Sequence, residues 1–175
     1  MLIVFSGLPG TGKTTIARAL AARYLATYLR IDEIEQAMRT AGVLAGAVGS
    51  AGYIVASALA ASNLRNDCLV IADCVNPVHE SREGWRRVAA HAQKPLLEIE
   101  TICSDQSEHR HRVEDRRSDI DGLTLPTWQS VTAREYAPWP EPHLVLDTSV
   151  LAPHEAVAIV EKHINRCGQR IQTEV

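Results

Sequence analysis

The chain has 175 residues, 46% of them hydrophobic, which suffices for the core of one globular domain and leaves little room for a second. Its formal net charge is -3 at pH 7, so no positive field over the whole protein recruits a nucleic-acid backbone or an anionic membrane. The four cysteines show no C-x-x-C spacing, which is typical of reduced thiols in a cytoplasmic protein and argues against a disulfide framework or a zinc site. We therefore predict a single cytoplasmic domain over residues 1–175 that binds a small ligand.

An apolar run at the start of the chain, Leu2–Ser6, predicts a first buried strand and leaves no room for a signal peptide before it. Directly after it comes GLPGTGKT, residues 7–14, which fits G-x-x-x-x-G-K-[ST] at every fixed position. Apolar residues at helical spacing over Lys13–Tyr24 predict that a helix follows. This order of strand, loop and helix favours a phosphate-binding loop over a glycine-rich turn that binds nothing.

We expect this loop to hold a nucleoside triphosphate. Its glycines allow a tight turn whose N–H groups face the phosphates, and the positive end of the following helix adds to that field. Lys13 should bridge the β- and γ-phosphates and act in catalysis, and the Thr14 hydroxyl should bind Mg²⁺. The predicted nucleotide-binding residues are Gly7, Pro9, Gly10, Thr11, Gly12, Lys13, Thr14 and Thr15.

Residues 27–31 form the second apolar run and predict a strand that ends at Asp32. At the carboxyl edge of a parallel sheet, this carboxylate could accept a proton from an attacking alcohol, as a general base does. The other interpretation is that Asp32 caps a helix beginning at Glu33, a position that favours Asp. The two roles are compatible.

Residues 41–64 contain no charged side chain and are numerous enough to span a bilayer. They consist mainly of Ala, Gly and Ser, which pack closely and insert weakly into membranes. We therefore predict a buried helix after a glycine-rich loop, and no membrane span.

Residues 68–72 predict a third strand, which is followed by Asp73. This carboxylate has the place of a Walker-B-like Mg²⁺ ligand at the carboxyl end of the sheet. The alternative is an ordinary strand-end Asp that starts a turn with Asn76 and Pro77.

The segment of residues 105–121 is highly charged and cannot contribute much to a core, so we expect a mobile flap. On a helix, Arg112 and Arg116 share a face and could neutralise the charge of a transferring phosphoryl group when this lid closes. The alternative is a solvated helix whose arginines pair with Glu108, Asp115 or Asp119. The aromatic residues Trp128, Tyr136 and Trp139 either pin the base of the lid or stack on a nucleobase.

Further runs complete an alternation of strands and helices, the signature of a parallel sheet covered on both faces. The pattern predicts strands over residues 95–103 and 143–146 and helices over residues 78–92 and 153–167, with Gly168 as a C-cap and residues 169–175 as a frayed tail.

Four features together carry a resemblance: GLPGTGKTTIARALA, a strand ending in Asp32, LVIADCVNP, and an R-x-x-x-R pair in a charged segment. They resemble the small P-loop kinases of the nucleoside monophosphate kinase-like superfamily. The most similar members are AAA_33-type ATP-binding proteins related to gluconate kinases, chloramphenicol phosphotransferases and polynucleotide kinase domains. SDQSEHRHRVEDRR and PTWQSVTAREYAPW also resemble the lid region of that group.

The resemblance implies a three-layer α/β P-loop NTPase fold with a five-stranded parallel sheet in the order 2-3-1-4-5. It also implies a helical lid over about residues 105–140, with ATP and Mg²⁺ as cofactors. By the same analogy Asp32 matches the acceptor-activating Asp, Arg39 is a candidate acceptor contact, and Arg112 and Arg116 match the lid arginines. Residues 36–66 match no known acceptor motif, so the acceptor stays open.

We therefore expect an ATP- and Mg²⁺-dependent kinase that transfers the γ-phosphoryl group to a hydroxyl of a small molecule. Two alternatives stay open: an ATP-binding switch without a dedicated acceptor, and a kinase acting on nucleic-acid 5′ ends, against which the acidic net charge argues. No N-K-x-D motif is present, which excludes a typical GTPase. The sequence leaves the oligomeric state undetermined.

Overall fold

The computed structural model describes residues 1–42 and 48–173, and side chains as far as residue 167. The strands are β1 (Leu2–Ser6), β2 (Thr27–Arg30), β3 (Val70–Asp73), β4 (Leu96–Ile102) and β5 (Leu144–Asp147). The helices are α1 (Lys13–Tyr24), α2 (Ile31–Thr40), α3 (Ala51–Arg65), α4 (His79–His91), α5 (Gln106–Glu114), α6 (Trp128–Thr132) and α7 (Pro153–Thr173).

The five strands form one parallel sheet in the order β2-β3-β1-β4-β5, which confirms the predicted fold and strand order. In this register Asp73 lies opposite Phe5 on one side and opposite Arg30 on the other. The carboxyl ends of the neighbouring strands β1, β3 and β2 therefore meet at one edge of the sheet, where ligands of open α/β folds bind.

Helices cover both faces of the sheet and make three layers. One core cluster joins the sheet to α3 and α4, with Trp85 fully buried in it, and the other joins the sheet to α1 and α7. Every residue of β1 is buried, because helices lie on both of its faces. This packing holds the start of α1, and with it the phosphate loop, rigidly against the sheet.

The junction of β2 and α2 differs from its prediction. β2 ends at Arg30, and α2 begins at Ile31 with no intervening loop, so Asp32 lies in the first turn of the helix. The interpretation of Asp32 as an N-cap is therefore wrong. A helix from Ile31 lets Ile31 and Ile34 pack against the same core cluster, which explains the early start.

Two other elements also depart from their predictions. β3 begins two residues later than expected and includes Asp73. α7 continues through Gly168 to Thr173, so Gly168 is not a C-cap and residues 169–173 are helical. Residues 169–173 favour helix and include no proline.

The uncharged stretch forms helix α3 as expected, although residues 43–47 before it lie outside the described part. α3 buries one face through Gly52, Ala56, Ala60 and Leu64, whereas Ile54 is 66% exposed, so the helix is only half-buried. Among the described residues, no helix combines the length and the apolar character that a membrane crossing requires.

Candidate active site

The phosphate loop joins β1 to α1 in a conformation that depends on glycine. Gly10 has a φ of 85°, in the left-handed region, and a Cβ there would lie 2.6 Å from Val113 Cγ2 of α5. A Cβ at Gly7 would collide with the carbonyl oxygen of Thr101. The N-cap position of α1 is Gly12, which offers no side-chain cap, and the first turn holds no acidic residue. The N–H groups of this turn are therefore available to an anion.

Lys13 is the cation of this loop and is only 8% exposed. Its Nζ donates a hydrogen bond of 2.8 Å to the carbonyl oxygen of Leu8. Burial lowers the pKa of Lys13, and the nearby carboxylates of Asp73 and Asp32 oppose that effect. A buried ammonium held by one loop carbonyl is well suited to receive an anionic ligand.

Asp73 is held by two hydroxyl donors. The Thr14 hydroxyl and the Tyr28 hydroxyl each donate a hydrogen bond of 2.7 Å to Asp73 Oδ2, and Asp73 is 3% exposed. These bonds orient the carboxylate toward the phosphate loop. The side chain of Asp73 therefore does not serve to start a turn with Asn76 and Pro77. Hydroxyl and carboxylate oxygens are ligands that Mg²⁺ prefers, so Thr14 and Asp73 together fit this ion.

The sequence did not identify Tyr28 as part of this site. Only the strand register indicates it. Tyr28 lies opposite Ile71, two residues before Asp73 on the neighbouring strand, so the side chains of Tyr28 and Asp73 point to the same face of the sheet.

At this edge the described residues form two adjoining cavities. The first, of about 650 Å³, runs from the phosphate loop to the residues that follow β5, 148–153. The second, of about 480 Å³, lies between α2 and the segment of residues 123–126. Among the described residues, Lys13, Thr14 and Arg116 line both cavities. The two spaces therefore adjoin at the predicted position of a γ-phosphate.

Asp32, Glu35 and Arg39 of α2 line the second cavity. Asp32 is partly buried, and none of the hydrogen bonds among the described residues involves its carboxylate. Arg39 Nη2 lies 3.0 Å from Glu35 Oε2. Burial raises the pKa of Glu35, and the guanidinium of Arg39 partly opposes that effect. The sequence analysis missed Glu35, although its spacing of three from Asp32 and four from Arg39 indicates one shared helix face.

The two lid arginines do not share a helix face, contrary to expectation. α5 ends at Glu114 with Asp115 as its C-cap, so Arg116 lies beyond the helix. Arg112 donates to Glu108 Oε1 at 2.8 Å and to Thr148 Oγ1 and O at 2.8 and 3.0 Å. The predicted pairing with Glu108 thus exists for Arg112, whereas Arg116 makes no ion pair with a described residue and lines both cavities.

α5 also contacts the phosphate loop through His109, a residue to which the sequence analysis assigned no role. His109 Nε2 donates to the carbonyl oxygen of Pro9 at 2.8 Å, and its ring packs edge-on against Trp128 of α6 at 5.1 Å. Trp139 lies between His143 and the guanidinium of Arg82, with centroid distances of 4.3 and 4.1 Å. These aromatic residues pack at the base of the lid segment.

Solved structures share this fold across nearly the whole chain. A candidate kinase of Chloroflexus aurantiacus aligns at 21% identity and a TM-score of 0.73, covering 95% of this chain and 96% of its own. The Mycobacterium tuberculosis APS kinase in complex with AMPPNP and APS aligns at 19% and 0.70, covering 94% and 96%. A gluconokinase of Sinorhizobium meliloti aligns at 17% and 0.65, covering 98% and 95%. Identities this low show a common fold.

No curated protein matches the chain in sequence. The model of the AAA_33 family, described as an AAA domain, matches residues 2–137. That range contains the phosphate loop, Asp32, Asp73 and both lid arginines. With the family model matching most of its length, and with the P-loop NTPase sheet order in the structure, the chain belongs to the AAA_33 family.

Proposed function

We propose that this protein is an ATP- and Mg²⁺-dependent kinase that transfers the γ-phosphoryl group to a hydroxyl of a small molecule. The observation that carries the proposal is the pair of adjoining cavities that share Lys13, Thr14 and Arg116. A group transfer requires two ligands that meet at their reacting atoms, with cationic groups at the point of contact.

The first cavity is the proposed site of ATP. Its volume of about 650 Å³ is within the usual range for ligand pockets, and it begins at the phosphate loop. The loop N–H groups and Lys13 would bind the phosphates, and Arg112 lies on the same wall. Thr14 and Asp73 would hold Mg²⁺, with Tyr28 orienting Asp73. When bound, the ion neutralises charge on the β- and γ-phosphate oxygens.

The second cavity is the proposed site of the acceptor, with Asp32 as base and Arg39 as a contact. The acceptor oxygen attacks the γ-phosphorus, and the bond to the β–γ bridging oxygen breaks, so that ADP leaves with the electron pair. The acceptor proton passes to the Asp32 carboxylate. Arg116, at the junction, would stabilise charge on the transferring group. The similar APS kinase was solved with AMPPNP and APS together, which supports a fold that holds a nucleotide beside a second ligand.

A transfer screen with γ-³²P-labelled ATP tests the proposal, using sugars, nucleosides, aminoglycoside and phenicol antibiotics, and 5′-hydroxyl oligonucleotides as acceptors. We expect label to appear on one class of small hydroxyl compound, with no transfer by Lys13→Ala. Transfer to oligonucleotides alone would identify a nucleic-acid end kinase. Slow ATP hydrolysis that no compound accelerates, together with tight nucleotide binding, would contradict the proposal and favour a switch.

A further inference from the structure

An ion-pair network on the wall of the first cavity, made by residues to which the sequence analysis assigned no role in the site, joins the lid segment to the sheet. The side chain of Arg30, at the end of β2, is 1% exposed. Its Nη1 donates to both carboxylate oxygens of Asp119, at 3.1 and 2.9 Å. Arg18 of α1 bonds the same carboxylate, with Nη1 2.6 Å from Oδ2. Asp119 lies three residues after Arg116, the cation that lines both cavities.

Arg30 needs this partner because a guanidinium stays charged when it is buried. Its Nε and Nη2 are buried and have no hydrogen-bond partner among the described residues. Among the described residues, the second carboxylate that forms an ion pair with Arg30 is that of Glu33, at 3.4 Å and 46% exposed. The hydrogen bond from Arg30 lowers the pKa of Asp119 to about 2, so the carboxylate is ionised at neutral pH. The lid segment therefore carries the main counter-charge of a buried cation.

Residues 115–127, which we call the crossing segment, run from the first cavity to the second between α5 and α6. Within residues 116–127, the side-chain hydrogen bonds of Ser118 and Thr127 are local, to residues within three positions along the chain. Among the described side chains, the hydrogen bonds and ion pairs that tie residues 116–127 to β2 and α1 all go to Asp119. Arg116 directly follows α5, so its position is set on one side by the end of that helix and on the other by this one carboxylate.

We propose that Arg30 and Arg18 are positioning residues that act through Asp119. By holding the crossing segment against β2 and α1, they keep Arg116 at the junction of the two cavities. In the register of the sheet Arg30 lies opposite Asp73, so the anchor lies one strand away from the proposed Mg²⁺ ligand. The catalytic consequence rests on the proposed kinase function, whereas the mechanical consequence does not.

The test uses Asp119→Asn, with Asp121→Asn as the matched control on the same segment. Asp119 is 40% exposed, so its amide variant is expected to fold. Trypsin cleaves after arginine, and Arg116 and Arg117 precede Asp119, which makes cleavage at these sites a measure of segment release. Cleavage is followed by mass spectrometry of the intact protein. Each rate is divided by the cleavage rate of a peptide of residues 110–125 that carries the same substitution.

We expect the normalised cleavage rate after Arg116 and Arg117 to rise about tenfold in Asp119→Asn, because a charge-assisted hydrogen bond is lost. In Asp121→Asn the normalised rate should equal that of the wild type. With the acceptor found in the screen, kcat should fall while the KM for ATP changes little, and Asp119→Glu should restore part of kcat. If the screen finds no acceptor, kcat is measured for ATP hydrolysis in place of transfer.

Equal normalised cleavage in Asp119→Asn and wild type would overturn the proposed anchor. Faster cleavage with an unchanged kcat would overturn the positioning of Arg116. If the wild type transfers phosphate to no acceptor but Asp119→Asn is still cleaved faster, the anchor is supported and the proposed kinase function is contradicted.

Discussion

The hydroxyl of Tyr28 donates a 2.7 Å hydrogen bond to Asp73 Oδ2, across two neighbouring parallel strands. The same oxygen accepts a bond from Thr14, so the strand that ends in Asp73 is tied both to the phosphate loop and to β2. This arrangement fixes the orientation of a carboxylate that is 3% exposed. Tyr28 is not among the described residues that line either cavity, so a side chain outside both cavities shapes the proposed metal site.

Tyr28→Phe removes this donor and leaves the ring in place. We expect a loss of about 1 kcal/mol in the free energy of unfolding, the usual net value of one hydrogen bond, and an increase of several fold in the Mg²⁺ concentration needed for half-maximal activity. Urea denaturation and a Mg²⁺ titration measure the two effects. Tyr24→Phe on α1 is the control, and an unchanged Mg²⁺ requirement would separate Tyr28 from the metal site.

Lys13→Ala should leave the fold intact and reduce ATP affinity or turnover by orders of magnitude, because the charge on the β- and γ-phosphates is lost. Removing a buried ammonium also relieves its desolvation, so stability should not fall much. Calorimetric titration with AMPPNP and transfer kinetics measure the change. Lys94→Ala, which removes a lysine paired with exposed Asp67, should bind and turn over as wild type does.

Asp32→Asn tests the base. The amide is nearly isosteric but cannot accept the acceptor proton at neutral pH, so we expect AMPPNP binding close to wild type and transfer reduced by about 10²-fold or more. Because phosphoryl transfer is often loose, a late proton transfer would make the loss smaller. Wild-type transfer rates would exclude Asp32 from the chemistry, and loss of nucleotide binding would move it to the metal site.

Arg116→Ala should reduce turnover on the order of 10²-fold with little effect on nucleotide affinity, since this cation lies where the two cavities meet. Arg112→Ala should also lower thermal stability, because it loses bonds to Glu108 and Thr148. Arg117→Ala, at the exposed neighbouring position, is the matched control. An equal loss of turnover in Arg116→Ala and Arg117→Ala would indicate a general effect of charge on the segment.

The pH dependence of stability should reveal the anchor at Asp119. Its pKa falls from the ordinary value of 3.8 to about 2 in the folded protein, so its contribution is present above 3.8 and is lost as the pH falls toward 2. Wild type should therefore unfold at higher urea than Asp119→Asn at neutral pH. The difference should shrink below about pH 4. A difference that stays constant down to about pH 2 would contradict the ion pair.

Local pattern was enough for the elements that are continuous in sequence. The strand Leu2–Ser6, the phosphate loop and the helix Lys13–Tyr24 follow from one apolar run, a glycine spacing and a helical period, all within neighbouring residues. The alternation of strands and helices likewise predicts a parallel sheet, and resemblance predicts its order. The start of α2 near Asp32 was predicted wrongly, because it depends on the packing of Ile31 in the core, which local sequence does not show. The end of α5 was also predicted wrongly, because the end of a short helix leaves only a weak signal in the sequence.

The tertiary structure alone decided which distant groups meet. Tyr28 and Asp73 are 45 residues apart, and Arg30 and Asp119 are 89 residues apart, so no spacing in the chain indicates either contact. The sequence determined that a phosphate loop follows the first strand and that a carboxylate lies close to the end of each of two later strands. Strand register and the path of residues 115–127 determined which donors those carboxylates face, because hydrogen bonds and ion pairs depend on distance in space and not on distance along the chain.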